Sequence, residues 1–220
     1  MIKNFTIFGE RCSGTNFLKE AIIENFNLNF TNKYCWKHFF GHYKLEDIND
    51  DDTLFLGIIR DPIEWIDSLY KKMHHIPLKN RLSIKSFLFN EFYSIYEDTQ
   101  TEIMEDRNFL TNERYKNIFQ LRYIKNNYLI KNMPNLVKNY LLIRYEDLRD
   151  KYDIVLTFLE KKFNLNRKFT IFKRIDSYKG YNKEVFIKKN VSLNDKTITI
   201  IKNNINKEQE NSIGYILNIK

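Results

Sequence analysis

The residues around two glycines near the start of the chain have types and a spacing suited to binding an anion. Gly9 and Gly14 bracket Glu-Arg-Cys-Ser, and Thr15 and Asn16 follow directly. An apolar run precedes this loop and an amphipathic segment follows it, which predicts a strand, a loop and the first turn of a helix. In such a loop, backbone N–H groups and the positive end of the helix dipole can bind a phosphate or a sulfate.

The two glycines have the spacing of the P-loop pattern G-x-x-x-x-G-K-[ST], but Thr15 stands where the lysine would be. A P-loop lysine neutralises the β- and γ-phosphates of a nucleoside triphosphate, and the adjacent hydroxyl binds Mg²⁺. Here Arg11 could form two hydrogen bonds to phosphate or sulfate oxygens, and Thr15 could hydrogen-bond a 5′-phosphate. The loop therefore favours a nucleotide with a single 5′-phosphate over ATP. An ordinary glycine turn is the simpler alternative.

A second candidate anion site combines Arg60 and Ser68. Arg60 follows the most strand-like stretch of the chain, residues 53–59, and Ser68 lies in the helix predicted after it. Ligands of open α/β folds bind at the carboxyl edge of the sheet, so an arginine and a hydroxyl near this junction would suit a second phosphate group. The alternative is that Arg60 pairs with Asp61 or Glu64 and that Ser68 faces solvent.

Strands that alternate with helices would position these residues. Strands are predicted over residues 2–8, 34–40, 53–59 and 140–144, and helices over residues 16–26, 63–72, 87–96, 115–130, 146–163 and 192–212. Asp61 and Pro62 predict the N-cap and the first residue of the second helix. The alternation predicts an α/β protein of three layers, with a central, mostly parallel sheet flanked by helices. Because no linker or repeat interrupts it, we expect a single domain over residues 1–220.

Composition narrows the possible partners. Hydrophobic residues are 43% of the chain, enough for one sizeable core, and the net charge of +8 favours anionic partners. The lysines are spread along the chain, so we expect no nucleic-acid partner. Cys12 and Cys35 do not suggest a disulfide framework. No apolar run approaches the length of a membrane span, and strand-like residues begin almost at once. We therefore expect a cytoplasmic protein without a membrane partner.

Four stretches resemble landmarks of the sulfotransferases that use 3′-phosphoadenosine 5′-phosphosulfate (PAPS). GERCSGTNFL, residues 9–18, resembles the family's 5′-phosphosulfate loop, and LGIIRDPIEWIDS, residues 56–68, resembles its 3′-phosphate motif. LLIRYEDL, residues 141–148, resembles a landmark on a later strand, and ENSIGY, residues 210–215, is similar to the end of the family's C-terminal helix. The four stretches occur in the family's order and span nearly the whole chain.

The resemblance implies a P-loop-like fold that transfers a sulfuryl group from PAPS to a hydroxyl or amine of a small molecule or carbohydrate, without a metal. It implies in-line displacement, in which a base takes the acceptor proton while cationic groups stabilise the departing bridging oxygen. Adenosine 3′,5′-bisphosphate is the second product. On the matching positions, the 5′-phosphosulfate would be bound by Arg11, Cys12, Ser13, Gly14, Thr15 and Asn16, and the 3′-phosphate by Arg60 and Ser68.

His38 is the predicted base, because many cytosolic members of the family carry a Lys-x-His pair after the first helix. Lys37 and Glu10 are the alternatives. Lys37 and His38 are adjacent, so on an extended strand they would face opposite sides and could not both repeat the family's roles. A packed histidine among aromatic residues is the simpler interpretation of His38. We further expect His42, His74 and His75 at the surface, Glu146 and Asp147 as helix caps, and Lys179 with Gly180 as a surface turn or a reduced form of the family's basic glycine loop.

Two other classes of protein stay open. A P-loop nucleotide or small-molecule kinase would explain the glycine loop, but it lacks the loop lysine and a clear acidic strand end for Mg²⁺. A non-catalytic, basic polyanion-binding protein would explain the net charge of +8, but its lysines should cluster on one face.

Overall fold

Short strands and helices alternate along the chain, and a computed structural model describes residues 1–41, 51–179, 183–188 and 190–216. The strands are β1 (Asn4–Phe8), β2 (Asn29–Phe30), β3 (Thr53–Ile59), β4 (Tyr140–Arg144), β5 (Ser177–Lys179) and β6 (Glu184–Val185). The α-helices are α1 (Thr15–Asn25), α2 (Pro62–Lys71), α3 (Leu78–Arg81), α4 (Ile84–Phe89), α5 (Ile118–Asn127), α6 (Met133–Leu136), α7 (Tyr145–Asp150), α8 (Tyr152–Phe163), α9 (Asp195–Asn204) and α10 (Lys207–Ser212). A 3₁₀ helix covers Met104–Asp106 and a π-helix covers Tyr128–Asn132.

The chain divides into two compact units, each made of two stretches. The first unit contains Met1–Arg60 and Leu129–Asn190, and the second contains Asp61–Tyr128 and Val191–Lys220. The chain leaves the first unit directly after β3 and re-enters it within the π-helix. The single domain predicted over residues 1–220 stays a prediction, because two compact units can belong to one domain.

The first unit contains a parallel sheet with the strand order β2-β1-β3-β4. Phe8 at the end of β1 pairs with Gly57, and Ile59 at the end of β3 pairs with Arg144 at the end of β4. Every residue of β3 is buried, as expected of a central strand that is covered on both faces. The predicted α/β fold with a central parallel sheet flanked by helices is confirmed.

Different elements cover the two faces of this sheet. On one face Leu56 belongs to the same buried cluster as Ile22 of α1 and Leu156 of α8. On the other face the ring of Phe8 stacks on that of Phe40, with 5.8 Å between the ring centroids. Burial of apolar surface on both faces stabilises the strands, by about 25 cal/mol per Å², and fixes the edge where their carboxyl ends meet.

In the second unit, the start of α2 and two buried ion pairs are the clearest determinants of structure. The carboxylate of Asp61 accepts hydrogen bonds from the N–H groups of Ile63 and Glu64, which confirms the predicted N-cap. The ion pairs join Arg122 of α5 to Glu210 of α10 and Lys125 of α5 to Asp106. Within the described ranges, no helix has both the length and the apolar character needed to cross a bilayer.

The strand predicted over residues 34–40 is wrong. These residues form turns, in which the N–H of Phe39 donates to the carbonyl oxygen of Trp36 at 2.8 Å. The second strand of the chain, β2, lies earlier, at Asn29–Phe30. Tyr34 and Phe40 are nevertheless buried, because an aromatic side chain can pack on a sheet from a turn as well as from a strand.

Three predicted helices are shorter than the periodicity indicated. The helix over residues 87–96 ends at Phe89, and Phe92 instead forms a β-bridge with Tyr115. The helix over residues 146–163 is interrupted at Lys151, and the helix over residues 192–212 is interrupted at residues 205–206. The predicted capping roles of Glu146 and Asp147 are also wrong, because α7 begins at Tyr145 and both residues lie in its first turn.

Candidate anion-binding site

The carboxyl edge of the parallel sheet brings together most of the residues that the sequence singled out. Residues 9–14 follow β1, Arg60 follows β3 and Tyr145 follows β4. Because these strands are parallel and in register, their carboxyl ends lie side by side. This is the edge at which ligands bind in open α/β sheets.

The loop after β1 is a tight turn with two left-handed residues. Cys12 has φ of 64° and Gly14 has φ of 96°. The N–H of Ser13 donates to the carbonyl oxygen of Glu10 at 3.1 Å and closes the turn. A Cβ atom at position 14 would lie 2.3 Å from the Cδ2 atom of Tyr145, so both the backbone angle and the neighbouring ring require glycine there.

The loop delivers the N-terminus of α1 to the edge of the sheet. Gly14 is the N-cap and no side chain caps the helix. The first helical hydrogen bond runs from the N–H of Leu18 to the carbonyl oxygen of Gly14 at 3.0 Å. The N–H groups of Thr15, Asn16 and Phe17 precede it and therefore have no acceptor within the helix. Together with the helix dipole, these groups favour an anion at this position.

Arg60 contacts the loop directly. Its NH1 group donates to the carbonyl oxygen of Cys12 at 3.2 Å, and its guanidinium lies 4.7 Å from the centroid of the Tyr145 ring. Arg149 lies against the same ring at 5.6 Å. Arg60, which is predicted to bind a phosphate, thus lies beside the loop.

Ser68 belongs to the second unit. It lies in α2, six residues after Pro62, which corresponds to about 9 Å along the helix axis. Its side chain is partly exposed. The role predicted for Ser68, in binding the same phosphate as Arg60, stays a prediction.

Lys37 contacts the start of α1. Its Nζ atom donates a hydrogen bond to Oδ1 of Asn16, and its carbonyl oxygen accepts from the N–H of Gly9 at 3.0 Å. Burial, and after it the charge of Lys19, lower the pKa of Lys37 from 10.5 to about 8. At neutral pH the amine is therefore still mostly cationic, but it loses its proton much more easily than an exposed lysine.

His38 contacts the other end of the loop. The ring is buried, and its Nδ1 atom lies 2.5 Å from the carbonyl oxygen of Gly9. A carbonyl only accepts hydrogen bonds, so Nδ1 carries a proton, and in the neutral ring the basic lone pair is on Nε2. The extended strand on which Lys37 and His38 would face opposite sides is not formed. They lie in a turn, from which both side chains reach the stretch of residues 9–16.

The remaining predicted residues of the loop are mostly buried. Glu10, Arg11, Ser13 and Thr15 are all buried, whereas Cys12 is partly exposed. Glu10 is thus a buried carboxylate at the same sheet edge as His38, which keeps it as the alternative base. Among residues 1–41, 51–179, 183–188 and 190–216, no three His, Cys, Asp or Glu side chains form a cluster that could hold a metal ion.

His74 and His75 belong to the second unit, and Lys179 lies at the end of a short strand. His74 is exposed, 3.9 Å from Glu97, and His75 is partly exposed, with Nδ1 3.0 Å from the carbonyl oxygen of Ile95. Lys179 ends β5 and is partly exposed. His42 and Gly180 lie outside the described residues.

Sequence reasoning missed Tyr145 as a member of the site. Its ring packs against Gly14 and under the guanidinium of Arg60. Tyr178, which stacks on Phe17 with 4.4 Å between centroids, hydrogen-bonds Tyr145. Burial, and then the neighbouring Tyr145, raise the pKa of Tyr178, so the phenol of Tyr178 stays a neutral hydrogen-bonding group. The position of Tyr145 directly after a parallel strand was the available signal.

The fold and the site define an α/β protein with a glycine loop and basic side chains at the carboxyl edge of a parallel sheet. Comparison of the chain with protein-family models, with curated proteins and with solved structures found no match.

Proposed function

We propose that this chain is a sulfotransferase that transfers the sulfuryl group of PAPS to a hydroxyl or amine of a small molecule or carbohydrate. The observation that carries the proposal is the contact between Arg60 and the loop. The NH1 group of Arg60 lies 3.2 Å from the carbonyl oxygen of Cys12. This contact places a guanidinium beside a glycine loop that has no P-loop lysine. That combination suits a donor whose two anionic groups are a 5′-phosphosulfate and a separate 3′-phosphate.

The hydrogen-bond donors at the loop suit such a nucleotide. Within residues 9–16 the loop offers backbone N–H groups, the hydroxyls of Ser13 and Thr15 and the guanidinium of Arg11, and Lys37 adds an amine at Asn16. These groups donate hydrogen bonds and, apart from Glu10, the loop carries no carboxylate that would repel an anion. In this proposal, residues 11–16 bind the 5′-phosphosulfate, and Arg60 and Ser68 bind the 3′-phosphate.

When bound, PAPS supplies the sulfuryl group and departs as adenosine 3′,5′-bisphosphate. Nε2 of His38 accepts the proton of the acceptor, while the hydrogen bond from Nδ1 to Gly9 fixes the orientation of the ring. The cationic amine of Lys37, held by Asn16, stabilises negative charge that develops beside the loop. Its lowered pKa of about 8 also makes it a proton donor near neutral pH.

The kinase alternative has less support from the strand ends. The carboxylate of Asp61, which follows β3, already accepts two backbone N–H groups as a helix cap. Asp147, near the end of β4, pairs with Arg144 at 2.7 Å. Neither residue therefore resembles a carboxylate kept available for Mg²⁺. The thiols of Cys12 and Cys35 agree with the proposed cytoplasmic location, and the proposal requires neither nucleic acid nor a membrane.

Thermal unfolding of the full chain with different nucleotides tests the proposal. Adenosine 3′,5′-bisphosphate without a metal should raise Tm in a concentration-dependent way, because a ligand at 100 times Kd stabilises by about 2.7 kcal/mol. 5′-AMP should stabilise less, and ATP with Mg²⁺ should have little effect. Stabilisation by Mg-ATP alone would indicate a kinase. A response only to long polyanions would indicate a binding protein, and either result would overturn the proposal.

A further inference from the structure

A groove in the second unit is lined by amide and aromatic side chains. Residues at the start of α5 and at the junction of α9 with α10 border an open groove of about 400 Å³ within the described part of the chain. Sites for small molecules have volumes of roughly 300–1,000 Å³, so this groove is large enough for one or two sugar rings. Its polar and aromatic lining includes Asn117, Phe119, Gln120, Tyr123, Asn204 and Asn206.

Two of the amides are helix caps that use only their oxygen atoms. Oδ1 of Asn117 accepts from the N–H of Gln120 at 2.9 Å, and Oδ1 of Asn206 accepts from the N–H of Gln209 at 2.8 Å. An asparagine amide also carries two N–H donors. Those donors remain at the groove after the cap has formed, and the cap holds each amide in one orientation.

The other two amides divide their hydrogen-bonding groups in the same manner. Nδ2 of Asn204 donates to the carbonyl oxygen of Ile200 at 2.8 Å, which leaves its Oδ1 atom as an acceptor. Oε1 of Gln120 accepts from the N–H of Lys116 at 2.6 Å, which leaves its Nε2 group as a donor. The groove thus presents donors and an acceptor that are held in place by the backbone. Such a mixture suits hydroxyl groups, each of which can both donate and accept.

One exposed aromatic ring accompanies the amides. Tyr123 is 41% exposed, whereas Phe119, four residues before it on the same side of α5, is only 7% exposed and packs against Phe89. The face of an exposed ring such as that of Tyr123 can pack against the C–H groups of a sugar ring. None of the described residues that line the groove is charged, so the lining favours a neutral ligand over an anionic one.

We propose that this groove binds a neutral saccharide, with Tyr123 stacking on a sugar ring and the amides hydrogen-bonding its hydroxyl groups. All the residues involved belong to the second unit, and the ligand needs no phosphate or sulfate. The proposal is therefore independent of the proposed sulfuryl transfer and is tested without a nucleotide.

Saturation-transfer NMR with the full chain is the first test, with cellobiose, maltose and N,N′-diacetylchitobiose as probes at millimolar concentration. We expect saturation transfer from the wild-type protein to the ring protons of at least one probe. Tyr123→Ala should weaken the affinity for that disaccharide about threefold to tenfold. Tyr96→Ala, which removes a tyrosine of similar exposure (48%) in the same unit, should leave the affinity unchanged.

A second pair of variants tests the amides and keeps the helix caps. Aspartate caps a helix as well as asparagine does, so Asn206→Asp removes the amide donors at the groove but preserves α10. Asn194→Asp is the matched control, because Asn194 caps α9 in the same way, with Oδ1 2.9 Å from the N–H of Thr197. We expect only Asn206→Asp to weaken saccharide binding. No transfer to any of the three disaccharides, or equal effects within either pair of variants, would overturn the proposal.

Discussion

Nδ1 of His38 lies 2.5 Å from the carbonyl oxygen of Gly9. The residue that we propose as the base is therefore hydrogen-bonded to the first residue of the loop that we propose to bind the sulfuryl donor. The contact leaves Nε2 as the basic nitrogen of the neutral ring. It gives His38 a structural role in the loop beside the proposed catalytic role, and a suitable substitution separates the two.

His38→Asn should abolish sulfuryl transfer and leave nucleotide binding intact. The asparagine amide can still donate to the carbonyl oxygen of Gly9, but it has no basic nitrogen, and loss of a general base typically slows a reaction by about 10²–10⁴-fold. Turnover is measured as release of adenosine 3′,5′-bisphosphate with an acceptor found by screening, and affinity by calorimetry. His38→Ala, which also removes the donor, should weaken nucleotide binding as well. Turnover that survives in His38→Asn would assign the base to Glu10 or Lys37.

Lys37→Met should stabilise the protein at neutral pH and lose that effect at alkaline pH. Burial lowers the pKa of Lys37 from 10.5 to about 8, so the folded protein binds the amine's proton less tightly than the unfolded chain does. The resulting cost to stability is fully present below pH 8 and disappears as the pH rises towards 10.5. At pH 7 we expect the free energy of unfolding to increase by on the order of 2 kcal/mol, measured by urea denaturation.

Lys33→Met is the matched control for Lys37→Met, because Lys33 is exposed and lies only four residues away. Its effect on the free energy of unfolding should be within about 0.5 kcal/mol. A stabilisation by Lys37→Met that is the same at pH 7 and pH 10.5 would show that the change in packing, rather than the buried charge, is responsible.

The sequence predicted the elements whose local signals agree with their burial. β3 is apolar along its whole length, Asp61 with Pro62 forms a standard helix start, and the stretch around Gly9 and Gly14 forms the predicted strand, loop and helix start. In each case a short stretch contains the cause of its own conformation. These elements were sufficient to predict the sheet and the edge at which the site lies.

The errors come from residues whose conformation depends on distant partners. Phe92 lies at helical spacing from Phe89 but pairs with Tyr115 in a bridge, so apolar periodicity did not distinguish helix from bridge there. Lys37 and His38 reach the loop because residues 34–40 form turns, which aromatic composition does not reveal. Tyr145 joins the site only because β4 is parallel to β3.

Arg60→Ala should weaken binding of adenosine 3′,5′-bisphosphate more than binding of 5′-AMP. Loss of a charged hydrogen bond to the 3′-phosphate should reduce affinity by about 10–100-fold. 5′-AMP should lose only a few-fold, because Arg60 also donates to the carbonyl oxygen of Cys12 and so supports the loop. Arg149→Ala serves as the control, since Arg149 packs on the same Tyr145 ring but pairs with Asp150. Equal losses for the two nucleotides would contradict the assignment of the 3′-phosphate to Arg60.

Glu210→Gln should strongly destabilise the second unit. Both of its oxygens accept from Arg122, at 2.5 and 2.7 Å, and the two side chains are only 1% and 5% exposed. Removal of one charge from a buried pair leaves the other uncompensated, which costs about 3–5 kcal/mol.

In urea denaturation, Glu208→Gln on the exposed side of α10 should change stability by less than about 0.5 kcal/mol. Replacement of Arg122 and Glu210 together by leucine should recover much of the loss, because the desolvation cost then disappears with both charges. If Glu210→Gln is no more destabilising than Glu208→Gln, the buried pair does not hold α10 against α5.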